Sequence, residues 1–184
     1  MSQVPTRFTH TARIRLTCKG YQIPVQKQDP PGLESKLDPK PIYDQLPTHD
    51  GKATPYLAAG KLKGKRALIT GGDSGIGRAI AILYAMEGAT SLIAYLADEE
   101  EDAQETKRLV EEKGGKLFLK STDLKDRKNC KEVVDEAVKQ LGGIDILVNN
   151  AAYQMMVEDI KDLSEYVLSC SPLHLPFCLE GGSG

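Results

Sequence analysis

Residues 70–77 have the sequence TGGDSGIG and carry the clearest chemical signal in the chain. They follow a short apolar run and precede a helical pattern, so the glycines lie at a turn between a strand and a helix. Gly71 permits the sharp turn, Gly75 leaves room for an approaching ligand, and Gly77 lets the helix pack closely against the sheet. The free amides at the start of the helix favour an anion. The turn therefore predicts a site for a dinucleotide pyrophosphate.

The turn has two other interpretations, a plain tight turn and a mononucleotide phosphate loop. A plain tight turn explains most isolated glycine-rich stretches, but the strand before this one and the helix after it favour a cofactor site. A mononucleotide phosphate loop needs a glycine followed by lysine and then serine or threonine, whereas this chain has Gly77, Arg78 and Ala79.

The acid and base that usually accompany hydride transfer at such a site are missing from the sequence. That chemistry normally uses a tyrosine with a lysine four residues further on. The fourth residues after the seven tyrosines are Val25, Pro47, Gly60, Gly88, Glu99, Val157 and Cys170. No catalytic residue can therefore be assigned, and Tyr153, Tyr166 and His174 are candidates only by residue type.

No metal site is predicted. The four cysteines and three histidines lack the spacing of zinc ligands or of a redox Cys-x-x-Cys pair. Cys130 falls on the apolar face of a predicted helix, which favours packing. The acidic residues 98–102 are interpreted as a helix start, with Asp98 as the cap and Glu101 three residues later.

The elements that would position the turn alternate between strand and helix, which is the pattern of a parallel α/β sheet. Strands are predicted at 66–70, 91–95, 116–120 and 144–149, and helices at 76–87, 99–113 and 127–141. The last helix should end at Gly142 in a left-handed conformation.

The flanking segments have different compositions. Residues 1–60 hold most of the prolines and are predicted to be an extended arm or a disordered leader, and residues 164–184 an irregular tail. The first 28 residues contain five basic and no acidic residues, which suits either an organellar transit peptide or an untargeted terminus. A cytoplasmic location is expected, with an organelle as the alternative.

Composition excludes some functions. A net charge of -2 and a pI near 6.0 give no electrostatic reason to expect nucleic acid binding. No apolar run approaches the roughly 20 residues of a membrane helix, so a soluble protein is predicted.

With these residues in place, the chain resembles the short-chain dehydrogenase/reductase family over about residues 62–163. The markers are the glycine turn, the pair Asp123 and Leu124 after the third strand of the series, and residues 149–152 (NNAA) after the fourth. The leader at 25–32 and the GGDS form of the turn resemble the subgroup of glucose and ribitol dehydrogenase homologues. The resemblance implies a Rossmann-like doubly wound parallel sheet, with strand order 3-2-1-4 over residues 61–163.

The resemblance also implies which residues hold the cofactor. The pyrophosphate and adenosine ribose would lie at Gly71, Asp73, Ser74, Gly75, Ile76 and Gly77. Asp123 and Leu124 would border the adenine, and Asn150 and Ala151 would line the cleft. Ala152 departs from the family pattern, which has glycine there, and should be tolerated if its backbone is not left-handed.

Two family positions bear on the choice between NAD and NADP. The family position that often holds an aspartate for NAD aligns with Tyr95, and the position that often holds an arginine for NADP aligns with Ser74. Without a carboxylate at 95 a 2′-phosphate would be permitted, although the acids from Asp98 onward would repel it if they came close. The sequence leans slightly to NADP.

Two functional classes follow. One is an NAD(P)-dependent oxidoreductase of the family acting on a sugar, polyol or other alcohol/carbonyl pair, with this chain catalytically incomplete because the match holds only the first half of the fold. The other is a non-catalytic protein that binds a nucleotide or a partner. In either case the edge of the fourth strand would be open, and a homo-oligomer or a partner chain could cover it.

Overall fold

The computed structural model describes residues 25–28, 32–48 and 53–152. The strands are β1 (Gln45–Pro47), β2 (Ala53–Pro55), β3 (Arg66–Thr70), β4 (Thr90–Tyr95), β5 (Lys116–Ser121) and β6 (Ile146–Val148). The helices are α1 (Gly75–Met86), α2 (Glu100–Glu112) and α3 (Arg127–Leu141), with 3-10 turns at Glu34–Lys36 and Ala97–Glu99.

Four strands form one parallel sheet in the order β5-β4-β3-β6. This is the predicted order 3-2-1-4, and the α/β fold class is confirmed. Strand β3 and helix α3 have the predicted bounds, whereas β6 is shorter than the predicted 144–149. The strand order reverses between β3 and β6. Doubly wound sheets bind ligands at the point of such a reversal.

The central strands β3 and β4 are buried on both faces because they are nearly continuous apolar runs. Alternate residues of β3 face opposite sides. Ala67 and Ile69 pack in the layer that contains α1 and α2, whereas Leu68 packs with Val133 and Ala137 of α3. This three-layer arrangement fixes the strand ends that carry the candidate site.

Helix α3 begins and ends as its sequence predicts. The Asp126 carboxylate accepts a hydrogen bond from the amide of Lys128 at 2.8 Å, and Gly142 closes the helix with φ of 80°. The predicted cap of the acidic segment was wrong in detail. Asp98 lies inside a 3-10 turn, and it is the Glu99 carboxylate that accepts from the amide of Leu96.

The described part of the leader packs on the domain rather than extending from it. Strands β1 and β2 pair as an antiparallel hairpin, and Tyr43 packs against the core layer of α1 and α2. Asp44 forms an ion pair with Lys113 just after α2. Glu34 is buried against the start of α1. Neither the leader boundary at 60 nor the tail boundary at 163 is tested by these contacts, and the tail lies outside the described residues.

Glu87 holds the end of the leader at the C-terminus of α1. Its carboxylate accepts hydrogen bonds from the Tyr56 hydroxyl, from the Lys61 amide at 2.7 Å and from the Ala59 amide at 3.2 Å. The Tyr56 hydrogen bond, followed by the Lys61 amide, lowers the pKa of Glu87 below 4.5, and burial opposes this. The leader is therefore fastened at both ends of α1.

This arrangement predicts a pH dependence of stability. Because the folded-state pKa of Glu87 is depressed, its contribution is present above the ordinary pKa of 4.5 and is lost as pH falls through the lower folded-state value. We expect Glu87→Gln to reduce the free energy of unfolding near neutral pH and to differ progressively less from the unmodified chain as pH approaches about 3. Urea unfolding at a series of pH values measures this difference. A difference that stays constant across the series would contradict the assignment.

Candidate cofactor site

The segments implied by the resemblance meet at one edge of the sheet. Strands β3, β4, β5 and β6 run parallel, so their carboxyl ends all open on the same side. Gly71 follows β3, Tyr95 ends β4, Asp123 follows β5 and Asn150 follows β6. The order of the strands thus brings residues that are up to 81 positions apart into hydrogen-bonded contact.

Three of the four glycines in the glycine turn have different roles. A Cβ on Gly77 would lie 1.9 Å from the carbonyl oxygen of Gly71, so no side chain fits where the helix approaches the turn. A Cβ on Gly71 would lie 3.0 Å from Ala151, and its φ is +61°. Gly75 also has positive φ, +54°, but no atom lies within 4 Å of its Cβ position. Open space at Gly75 is what a diphosphate needs at this point.

The start of α1 presents unused hydrogen-bond donors. Among the described residues, the amides of Ile76 and Gly77 have no acceptor, whereas the Arg78 amide already donates to the Ser74 carbonyl. Ile76 is 73% exposed, so this end of α1 is open to solvent. Two free amides at the positive end of a 12-residue helix form a suitable cradle for phosphate oxygens.

Thr70 and Asn150 join β3 to the segment after β6. The Thr70 hydroxyl accepts hydrogen bonds from the amides of Asn150 and Ala151, both at 3.0 Å, and donates to the carbonyl of Val148. The Asn150 side chain donates to the carbonyls of Thr70 and Gly71, the latter at 2.7 Å. The Asn150 side chain therefore stabilises the backbone of the glycine turn. The backbone of Ala152 does not have a positive φ, so alanine meets the condition for replacing the family's glycine at this position.

The adenosine end of the site is acidic. Asp73 is 3% exposed, and its carboxylate accepts a hydrogen bond from the Ser74 hydroxyl at 2.8 Å. Burial raises the pKa of Tyr95, as do its hydrogen bond to Glu100 and the charges of Glu100 and Asp73. Burial also raises the pKa of Glu99, with the Asp73 charge as the next cause. The carboxylates of Asp73, Glu99 and Glu100 thus lie near one another at the end of β4.

Asp123 and Leu124 lie in the loop from β5 to α3. The Asp123 carboxylate accepts from the Lys125 amide at 3.0 Å, and its carbonyl accepts from the Asn129 side chain. Leu124 packs in the core layer of α3, and the Cys130 thiol donates to its carbonyl. Cys130 itself is half-buried. The loop is held by α3 and lies at the edge of the sheet formed by the carboxyl ends of the strands.

Sequence reasoning missed a buried charge cluster next to the glycine turn. Arg78 forms ion pairs with Glu34 at 2.6 Å and with Asp102 at 2.9 Å, and all three side chains are buried. Glu34 also accepts a hydrogen bond from the Gly75 amide. One signal was available: an arginine in the first turn of a helix opposes the helix dipole unless acidic partners surround it. Nothing in the local pattern indicates that Glu34, 44 residues away, is such a partner.

The remaining candidates cannot be placed. Tyr153, Tyr166 and His174 lie outside the described residues. Within the described ranges, no group of three or more acidic, cysteine or histidine residues has the geometry for a metal ion. Over the same ranges, no helix is long and apolar enough to cross a membrane.

The model of the family described as short chain dehydrogenase matches residues 65–169. The chain belongs to this family. Curated relatives include General stress protein 39 of Bacillus subtilis, 49% identical over 144 residues, which are 78% of this chain and 47% of that protein. Glucose and ribitol dehydrogenase of Daucus carota is 42% identical over 159 residues, covering 79% of this chain and 50% of the relative. This family member therefore spans about half the length of the curated relatives it matches.

Solved structures of the family share the fold. A short chain dehydrogenase from Burkholderia cenocepacia in complex with NADP is 36% identical, with a TM-score of 0.54 over 60% of this chain and 44% of that one. Carveol dehydrogenase from Mycobacterium avium in complex with NAD is 30% identical, with a TM-score of 0.54 over 61% and 44%. Both cofactors thus occur among structural neighbours of this short-chain dehydrogenase.

Proposed function

We propose that this chain supplies the dinucleotide-binding part of an NAD(P)-dependent oxidoreductase that interconverts an alcohol and a carbonyl. The observation that carries the proposal is the start of α1, where the amides of Ile76 and Gly77 have no acceptor among the described residues and the Cβ position of Gly75 is open. A helix N-terminus at the reversal of strand order is a favourable place for a pyrophosphate.

The residues that would hold the cofactor are those implied by the resemblance. The amides of Ile76 and Gly77 would bind the diphosphate, with Gly75 leaving space for it. The other contacts would come from Asp73, Ser74, Tyr95, Asp123, Leu124, Asn150 and Ala151. When bound, the nicotinamide supplies or accepts the hydride, and the chain's described residues bind and orient the adenosine and diphosphate.

A sugar or polyol is the substrate class we propose for the full site. Support comes from the relative named glucose and ribitol dehydrogenase, which is 42% identical to this chain. A homo-oligomer or a partner chain at β6 stays a prediction. Strand β6 pairs only with β3 among the described residues, and Leu147 on it is 39% exposed.

A second candidate is nucleotide binding without catalysis. It is favoured by the sequence observation that no tyrosine of the 184 residues has a lysine four positions later. Under this alternative the chain binds the nucleotide and shows no turnover. We expect NAD(P)-linked turnover by the purified chain on sugars, polyols and simple carbonyls to be absent. Turnover that scales with the amount of purified protein would indicate an unrecognised acid among Tyr153, Tyr166 and His174.

Calorimetric titration with ADP, NAD and NADP tests the binding site itself. We expect weak binding by the chain and loss of binding in Gly75→Val, because the added side chain fills the space for the diphosphate. Gly114→Val is the matched control, since Gly114 also has positive φ and an open Cβ position but lies after α2. Equal affinities of the Gly75 variant and the control would contradict the assignment.

A further inference from the structure

The leader delivers a carboxylate directly to the glycine turn. Glu34 is 6% exposed, and its backbone amide donates to the Asp102 carboxylate at 3.1 Å. One carboxylate oxygen pairs with Arg78 at 2.6 Å, and the other accepts a hydrogen bond from the Gly75 amide. Both oxygens and the backbone are held, so the negative charge is fixed beside the turn. Under the proposed function the pyrophosphate and the adenosine ribose lie at this turn, which contains Gly75.

Arg78, the cation closest to this point in the sequence, is not available to a ligand. Its side chain is buried and forms ion pairs with two carboxylates, Glu34 and Asp102. All three guanidinium nitrogens are engaged, by Glu34 and Tyr43, by the carbonyl and carboxylate of Asp102, and by the Asp73 carbonyl and the Thr106 hydroxyl. One positive charge therefore faces two negative charges within the cluster, and the cluster is net negative.

The surroundings add further negative charge. Asp73, Glu99 and Glu100 carry carboxylates at the end of β4 and the turn, and no lysine or arginine occurs among residues 70–77. Three cations other than Arg78 line the cleft between the leader and α2 together with Glu34. Arg108 is paired with Glu105 and Glu112, Lys113 is paired with Asp44, and Lys40 is exposed.

We propose that Glu34 is a specificity-determining residue that makes the adenosine end of this site select a dinucleotide with a free ribose 2′-hydroxyl over one with a 2′-phosphate. A 2′-phosphate carries between one and two negative charges near neutral pH and would enter beside a fixed carboxylate, while Arg78 is already paired with two carboxylates. A 2′-hydroxyl can instead donate a hydrogen bond to a carboxylate. The choice is NAD, opposite to the sequence lean, which weighed positions 74 and 95 and the acids from Asp98 onward but not Glu34.

The inference rests on the proposed function, and a matched pair of ligands separates the two. 5′-AMP and adenosine 2′,5′-bisphosphate differ only in the 2′-phosphate, and neither needs a nicotinamide pocket. Calorimetry on the 184-residue chain should show 5′-AMP binding at least about tenfold more tightly at low salt. The ratio should shrink at high salt because the repulsion is screened.

Glu34→Gln removes the charge while keeping the shape, and should bring the two affinities within about threefold of each other. Glu136→Gln on α3 is the control for a distant Glu-to-Gln change, and its ratio should equal that of the unmodified chain. Circular dichroism of each variant establishes that it is folded. If Glu34→Gln does not fold, the salt series on the unmodified chain decides: a salt-independent ratio overturns the electrostatic role.

The contrary outcomes are distinct. Equal or tighter binding of the bisphosphate by the unmodified chain overturns the selectivity. An unchanged ratio in folded Glu34→Gln overturns the role of Glu34. Absence of binding for both ligands overturns the dinucleotide site itself, and with it this inference.

Discussion

Replacing Arg78 with leucine is expected to lower the free energy of unfolding by about 3 to 5 kcal/mol. The change leaves the carboxylates of Glu34 and Asp102 buried without their common cation. Removing one partner of a buried ion pair is costly because the remaining charge has neither water nor a counter-charge. A loss of this size is a large part of the total stability of a small domain, which is about 5 to 15 kcal/mol.

Urea unfolding followed by circular dichroism measures this effect, and limited proteolysis reports the leader separately. The control is Arg108→Leu on α2, which loses exposed ion pairs with Glu105 and Glu112 and should cost no more than about 1 kcal/mol. Proteases should also cut the leader faster in the Arg78 variant, because Glu34 loses its main anchor. Equal stabilities of the two arginine variants would show that the buried cluster contributes little.

Replacing Gly77 with alanine should also lower the free energy of unfolding substantially. Alanine is favoured over glycine inside a helix by about 1 kcal/mol, so helix propensity alone predicts stabilisation. The added Cβ would instead lie 1.9 Å from the carbonyl oxygen of Gly71 and 2.8 Å from the Asn150 side chain. Relief requires α1 to move away from the sheet, and we expect a loss of more than about 3 kcal/mol.

Gly75→Ala provides the comparison for Gly77. Its Cβ position is open, and the cost is limited to the strain of a left-handed alanine, about 1 to 2 kcal/mol. Denaturant midpoints of the two variants should therefore differ clearly, with Gly77→Ala much lower. A Gly77 variant as stable as the unmodified chain would mean that the close approach of helix and turn is wrong.

Local patterns were sufficient to predict the strands and helices of the parallel sheet, and the family resemblance supplied the strand order. The strands are short apolar runs and the helices have regular apolar spacing, so α3 was predicted at the observed Arg127–Leu141. The positions of Gly71, Gly75 and Gly77 also carry their own physical meaning, because each lacks a side chain for a different geometric reason. These features depend on neighbours in sequence or on a single turn.

The docking of the leader could not be predicted in the same way. Residues 34 and 87 fasten the leader through hydrogen bonds to partners between 26 and 68 positions away. Neither end has a periodic pattern, and a proline-rich segment gives no indication of where it packs. The sequence lean to NADP weighed positions 74 and 95 and the acids from Asp98 onward, whereas the carboxylate that contacts the turn comes from position 34.

The central claim is that the start of α1 binds the diphosphate of an adenine nucleotide. The most direct measurement is a nuclear magnetic resonance titration of the ¹⁵N-labelled 184-residue chain with ADP. The account predicts that the largest amide shifts occur at Ile76 and Gly77, whose amides have no acceptor among the described residues. Smaller shifts should occur at Asp123 and Asn150, on neighbouring strand ends. Absence of shifts at Ile76 and Gly77 at saturating ADP, or shifts confined to another face of the sheet, would contradict it.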